Sequence, residues 1–251
     1  MPGKDVDLAV IGAGLSGCAL VAALRTHGWA GTVQLLEAGR GPGGRCATRR
    51  RRDDPLWRLD HGSPTLSFQS EPQGQLRELI RSLEQRGALR VDDEPVVGLD
   101  HHGAAVEPPD HPLLRGPRWR GIPTMATVAE TLLADGSDGV DVRFGERIET
   151  LSREGGRWLL PGGVRAGMVV LSGTLLAHPR SLAMLGRSDV PLRDAVPEQD
   201  DPVLDQALAW IADLNASVRW NLMMECSAVD LDPLPRQIWL TSQAQQQFGV
   251  E

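Results

Sequence analysis

The stretch that most restricts what this chain can fold into runs from Asp7 to Gly17. Asp7-Leu8-Ala9-Val10-Ile11 is a short apolar run, followed at once by Gly12-Ala13-Gly14-Leu15-Ser16-Gly17. An apolar run with a β-branched end, bounded by glycine, predicts a buried parallel strand. Gly12 permits a tight turn out of that strand, Gly14 allows close approach of backbone and a pyrophosphate, and Gly17 lets the next helix lie against the sheet. Leu15 to His27 is mostly small or apolar, which predicts that helix. Its N-terminus presents unpaired N–H groups and the positive end of a dipole, both favourable to phosphate.

A second strand is predicted over Thr32-Val33-Gln34-Leu35-Leu36-Glu37, and its closing acid lies about 20 residues past Gly17. That offset suits a carboxylate accepting hydrogen bonds from ribose hydroxyls. The same carboxylate repels a 2′-phosphate, so the pattern favours an adenosine diphosphate moiety over NADP. Directly after it comes Gly41-Pro42-Gly43-Gly44-Arg45, a second glycine-rich bend ending in a cation. A nicotinamide dinucleotide does not need this second bend.

Val10 to Gly17, then Leu36-Glu37-Ala38, then Gly43-Gly44-Arg45, resemble the amine-oxidase-like flavoprotein superfamily. Arg40 to Arg45, with Thr48-Arg49-Arg50 and Asp60-His61-Gly62, is similar to its renalase-like branch. The resemblance implies an FAD cofactor. It places Gly12, Ala13, Gly14, Leu15, Ser16 and Gly17 at the first bend, Glu37 and Ala38 at the ribose, and Arg40, Gly43, Gly44 and Arg45 at the pyrophosphate. It also brings Asp60, His61 and Gly62 near the flavin. Arg147 to Leu151 with Trp158-Leu159-Leu160 resembles a strand pair in which one backbone position, here Ile148, touches adenine. Trp119 to Met125, Val169 to Leu171 and Asn215 to Met224 carry weaker likeness, the last to a strand of a substrate domain. The fold implied is α/β: a Rossmann-like FAD-binding domain, a parallel sheet with helices, plus a second mixed-sheet α+β substrate domain that is incomplete. Relatives close with a strand, a Gly-Asp pair and a helix facing the FAD. Nothing like this precedes Glu251, so the chain is expected to be truncated at its C-terminus.

The expected organisation is an FAD-binding part over 1–70, a substrate-side part over 71–123, a return to the FAD-binding domain over 124–185, and further substrate-side structure over 186–251. Leu76, Leu79, Ile80 and Leu83 recur at helical spacing, which predicts an amphipathic helix from Gln73 to Arg86. A helix is predicted from Thr124 to Ala134, with strands near 141–151, 157–160 and 168–172. Pro202 opens another helix that runs towards Asn215.

The net charge of −7 argues against a nucleic-acid partner, and Arg49 to Arg52 is followed at once by Asp53 and Asp54, as in a solvated loop. No apolar run reaches the ~18–20 residues of a membrane span, so no membrane partner is expected. Three scattered cysteines, Cys18, Cys46 and Cys226, form no disulfide or zinc pattern. They and the polar N-terminus predict a cytoplasmic protein. His101, His102 and His111 lack the spacing of metal ligands, so no metal is expected. No catalytic acid or base is identifiable.

The resemblance implies hydride transfer from a small amine or a reduced nicotinamide-type molecule to the flavin, with oxygen as re-oxidant. Two alternatives stand beside it. One is a shortened flavoprotein without turnover, and the other is a nicotinamide-dependent dehydrogenase built on the first glycine bend alone.

Overall fold

The computed structural model describes residues 4–54, 56–215, 222–223 and 235–250. The chain forms two compact units, Met1–Gly62 with Met125–Asn221, and Ser63–Thr124 with Leu222–Glu251.

The first unit opens with β1 (Lys4–Ile11), α1 (Leu15–Thr26) and β2 (Val33–Glu37), then the hairpin β3 (Thr48–Arg50) and β4 (Arg58–Asp60). The chain passes through the second unit as β5 (Leu66–Ser67), α2 (Gly74–Gln85), β6 (Leu89–Val91), β7 (Val96–Leu99), β8 (Ala105–Val106), α3 (Pro112–Arg115) and β9 (Arg118–Gly121). It returns to the first as α4 (Ala126–Asp135), β10 (Val140–Phe144), β11 (Ser152–Glu154), β12 (Arg157–Leu160), β13 (Val164–Leu171), α5 (Leu182–Leu185) and α6 (Pro202–Ala212). The strand β14 (Gln237–Leu240) and helix α7 (Ser242–Phe248) belong to the second unit.

The first unit is built on a six-stranded sheet in the order β10-β2-β1-β13-β12-β11. Its first four strands are mutually parallel, β12 runs antiparallel to β13, and β11 runs antiparallel to β12. Parallel strands are covered on both faces and so read as continuous apolar runs. Accordingly Leu8, Ala9, Val10, Val33, Leu35 and Leu36 are all buried. A cluster built from Ala9, Leu36, Val164 and Ala166 of the sheet takes in Ile148, Leu151, Leu176, Leu192 and Leu208. Asp201 caps α6, accepting from the N–H groups of Val203 (3.0 Å) and Leu204 (3.1 Å). Pro202 occupies the first turn, where a missing N–H costs nothing.

Two expectations are corrected here. The segment 186–215 belongs to the first unit, not to the substrate side, because Val190, Leu192 and Leu208 bury their side chains in the sheet's own core. Residues 145–151 form no strand. They are tied to the exit of β2 by bonds from the Gly145 N–H to the Gly39 carbonyl (2.8 Å) and the Glu146 N–H to the Glu37 carbonyl (2.9 Å). The expected strand from Asn215 to Met224 lies mostly outside the described residues.

The second unit holds two three-stranded sheets, β5-β9-β6 and β14-β7-β8. The predicted amphipathic helix is α2, with Ile80 and Leu83 buried and Leu76 exposed at its margin. Trp119 is buried, donates its indole N–H to Glu84 Oε1 (2.9 Å) and meets Phe68 edge-on at 5.6 Å between centroids.

Candidate functional site

The two glycine bends meet. The backbone of Gly14 bridges that of Gly43 as in a parallel ladder, and the Gly43 N–H donates to the Ala13 carbonyl at 2.8 Å. The backbones pack closely at Gly44 and Gly17, while a Cβ on Gly14 would meet only the Gly44 Cα at 4.0 Å. A Cβ on Gly44, whose φ is +54°, would lie 3.1 Å from the Gly14 Cα, and one on Gly17 would lie 2.1 Å from the Gly12 carbonyl oxygen. Gly14 is the N-cap of α1 and supplies no side chain to its first turn, so the helix N-terminus stays open beside the bends.

Glu37 sits at the end of β2 and is held from two directions. Its Oε2 accepts from the Ala13 N–H at 2.7 Å and its Oε1 from the Gly39 N–H at 2.6 Å. A carboxylate has about four lone-pair sites, so it can still accept from other donors. Fixed in this way, it lines a cleft of about 690 Å³ with Gly12, Ala38, Arg45 and Ile148. The cleft lies beyond the carboxyl ends of β1, β2 and β13, where open α/β sheets bind ligands.

Much of the remaining wall comes from the segment after β13, with Leu175, Leu176 and Met184 supplying apolar surface and Arg180 charge, while Glu146 enters from the segment after β10. A histidine shapes this turn. His178 is buried, its Nδ1 accepts from the Arg180 N–H (3.0 Å), and its Nε2 meets the Leu214 carbonyl (3.0 Å). With Nδ1 accepting, Nε2 carries the proton and donates. The Arg180 guanidinium donates from Nη2 to Thr174 Oγ1 at 3.0 Å, which steers it along the cleft wall. Neither His178 nor Arg180 was read as a site residue in the sequence, since each acts through a turn that carries no motif.

Ser172 was also missed. Its hydroxyl donates to the Gly12 carbonyl (2.7 Å) and lies near the Ile11 carbonyl (3.1 Å), so the return strand pins the first bend. The only sequence signal is a small polar residue directly after the apolar run Met168 to Leu171.

The other expected residues fall around this cleft in different ways. Leu15 and Ser16 form the first turn of α1. Arg40 is exposed on the loop between Glu37 and the second bend and is not part of the cleft wall. Asp60 is engaged structurally: it accepts from Thr48 Oγ1 (2.5 Å) and from the Met125 N–H (3.1 Å to Oδ2) at the start of α4. His61 is half-buried next to it. Gly62 packs on the carbonyl of Arg45, where a Cβ would come within 1.9 Å of the oxygen, so it sets the position of that arginine's backbone.

Two cysteines lie beneath the bends. Cys18 is fully buried and approaches the Ala13 carbonyl at 3.4 Å, and burial pushes its thiol up from 9.0 to about 12. Burial also raises the Cys46 thiol. Both are packing residues rather than nucleophiles.

Residues 10–83 match the family model of the NAD(P)-binding Rossmann-like domain, a range that holds both glycine bends and Glu37. No curated protein sequence matches the chain. Among solved structures, wild-type putrescine oxidase bound to putrescine is 16% identical with a TM-score of 0.49, covering 81% of this chain and 64% of that one. A protein from Exiguobacterium sp. 255-15 described as a protoporphyrinogen oxidase is 16% identical with a TM-score of 0.48, covering 76% and 63%. NikD, an amino acid oxidase of nikkomycin biosynthesis, is 16% identical with a TM-score of 0.42, covering 73% and 55%. The chain therefore spans less than two thirds of the length of these proteins. The sheet order and the matched residues together establish a Rossmann-like α/β fold at the core of the first unit.

Proposed function

We propose that the chain is an FAD-dependent oxidoreductase of renalase-like type. It moves a hydride from a small amine or a reduced nicotinamide-type molecule to the flavin, and oxygen serves as re-oxidant. The observation that carries this reading is the bridge between Gly14 and Gly43, which sets two glycine bends side by side next to Glu37 and Arg45. A cradle of closely packed glycine backbone suits a diphosphate, and the adjoining cleft has the apolar walls and acid that an adenosine needs.

The roles follow from chemistry. The open N–H groups of α1 bind phosphate oxygens, and Arg45 neutralises their charge. Glu37 accepts from ribose hydroxyls while Ala13 and Gly39 hold it still. Ile148, Leu175 and Leu176 exclude water from the base. When bound, FAD supplies the two-electron chemistry, and the protein supplies position and electrostatics.

Titrating the purified protein with FAD, NAD and NADP tests the reading, with flavin fluorescence and thermal shift as readouts. FAD is expected to bind most tightly, and reduced nicotinamides or small amines are expected to bleach the flavin without air and yield peroxide in air. The match of residues 10–83 supports a second reading, a nicotinamide-dependent dehydrogenase. Tight NADH binding with no response to FAD would establish that one instead.

A further inference from the structure

The second unit contains a cavity of about 550 Å³ whose lining includes Arg118, Arg236, Phe68 and Trp239 and, among the described residues, no carboxylate. In a chain with a net charge of −7, two cations in an acid-free cavity run against the average of the molecule. Glu94 buttresses both of them. The Arg118 Nη2 donates to the Glu94 backbone carbonyl at 2.7 Å, and the Arg236 Nε pairs with the Glu94 carboxylate at 2.8 Å. Among the described residues, the two guanidinium groups thus bond to one residue, Glu94, which carries a single carboxylate. The Arg118 Nε is buried and finds no hydrogen-bond partner, so this guanidinium is bonded below its capacity.

Hydroxyl donors stand nearby. Ser63 donates to the Thr65 carbonyl (2.6 Å), whereas the Thr65 and Ser67 hydroxyls share one bond between them (3.0 Å). Of that pair, one hydroxyl hydrogen remains free to donate. The aromatic walls are held from behind, Phe68 by the edge of Trp119 and Trp239 by His111 at 4.7 Å between centroids. Aromatic rings held by their neighbours, in one lining with bonded arginines, make a receptor suited to a flat acid.

We propose that this cavity binds an organic monoanion, a carboxylate carried on an aromatic or similarly flat apolar body. The carboxylate would meet the two arginines and the free hydroxyl, with its apolar body between Phe68 and Trp239. This site stands independently of flavin binding by the first unit.

Calorimetric titration of the whole protein with hydrocinnamate, hydrocinnamamide and phenylpropylamine tests it, because the three differ mainly in the charge of one end. The acid is expected to bind at least about tenfold more tightly than the amide, the margin of a charge-assisted contact, and the amine is expected not to bind. Arg236→Gln, at an exposed position, should remove most of that preference, and Arg118→Gln should do the same. Equal affinity for acid and amide, binding of the amine, no binding of the acid, or an unchanged preference in Arg236→Gln would each overturn the proposal. The comparison among the three ligands needs no variant, so a failure of Arg118→Gln to fold leaves it decisive.

Discussion

Glu37 binds two backbone N–H groups from different bends, and its chemistry at the proposed ribose depends on that clamp. Glu37→Gln keeps the shape but turns one oxygen into a donor, which must then face the N–H of Ala13 or Gly39. We expect the FAD dissociation constant to rise about tenfold or more, with roughly 1–2 kcal/mol lost from stability. Flavin fluorescence quenching and urea unfolding check the two effects separately. A nearby pair of glycines gives a cleaner contrast. Gly44→Ala puts a Cβ 3.1 Å from the Gly14 Cα at positive φ, whereas a Cβ on Gly41 meets nothing within 4 Å. The first should cost about 1–2 kcal/mol and the second less than about 0.5. Equal effects would show that the bends do not touch. Cys18 makes a pH-dependent prediction. Its folded value is raised from 9.0 to about 12, so above 9.0 the unfolded chain releases this proton while the folded chain keeps it. Its contribution to stability is therefore full below 9.0 and declines as pH rises towards about 12. Unfolding midpoints measured on either side of 9.0 should fall more steeply in the parent than in Cys18→Ala. Parallel slopes would show that the thiol is not buried.

The elements that the sequence made legible are those whose cause is local. The path from β1 through Gly12 to α1 and β2 follows from an apolar run, glycines and an acid at fixed offset. The helix α2 follows from Leu79, Ile80 and Leu83 on one face. What was not legible depends on residues far apart in the chain. Ser172 reaches Gly12 only because β13 lies beside β1. The stretch from Arg147 to Leu151 resembles a strand of the family, yet Ile148 and Leu151, three residues apart, both enter the core outside any strand. Asp60 shows the same limit. Its neighbours in sequence suggest a place near a flavin, but its bonds go to Thr48 and the Met125 N–H, while Thr48 Oγ1 accepts from the Ala126 N–H at 3.2 Å. The hairpin β3–β4 thereby caps α4, whose own N-cap, Met125, has no acceptor to offer. Asp60→Ala is expected to cost about 1–2 kcal/mol, as lost caps do, and to leave FAD affinity unchanged. Loss of affinity with stability intact would return Asp60 to the flavin.

At the scale of the whole molecule, the chain leaves the first unit after Gly62, returns to it at Met125 and leaves it again after Asn221. In the sequence that excursion is expected to start at 71 and end at 123, whereas the units divide after Gly62 and before Met125. Its early start was hidden because the turn signal Ser63-Pro64 follows Asp60-His61-Gly62 directly and reads as part of the same bend. The second departure was misplaced for a different reason. The apolar residues of 186–215 look alike whichever sheet they cover, and only the packing of Val190, Leu192 and Leu208 assigns them to the first. If the bends and the cleft form one dinucleotide site, ligand binding must be felt by three segments distant in sequence. At a hundredfold excess over its dissociation constant, a ligand that binds only the folded state adds about 2.7 kcal/mol of stability. Hydrogen exchange with and without FAD should then slow in Gly12 to Ser16, in Glu37 to Arg45 and in Gly173 to Met184 together, because each borders the same space. Slowing in the first two alone would mean that the His178 turn closes nothing. Slowing elsewhere, with all three unchanged, would place the flavin outside the glycine bends.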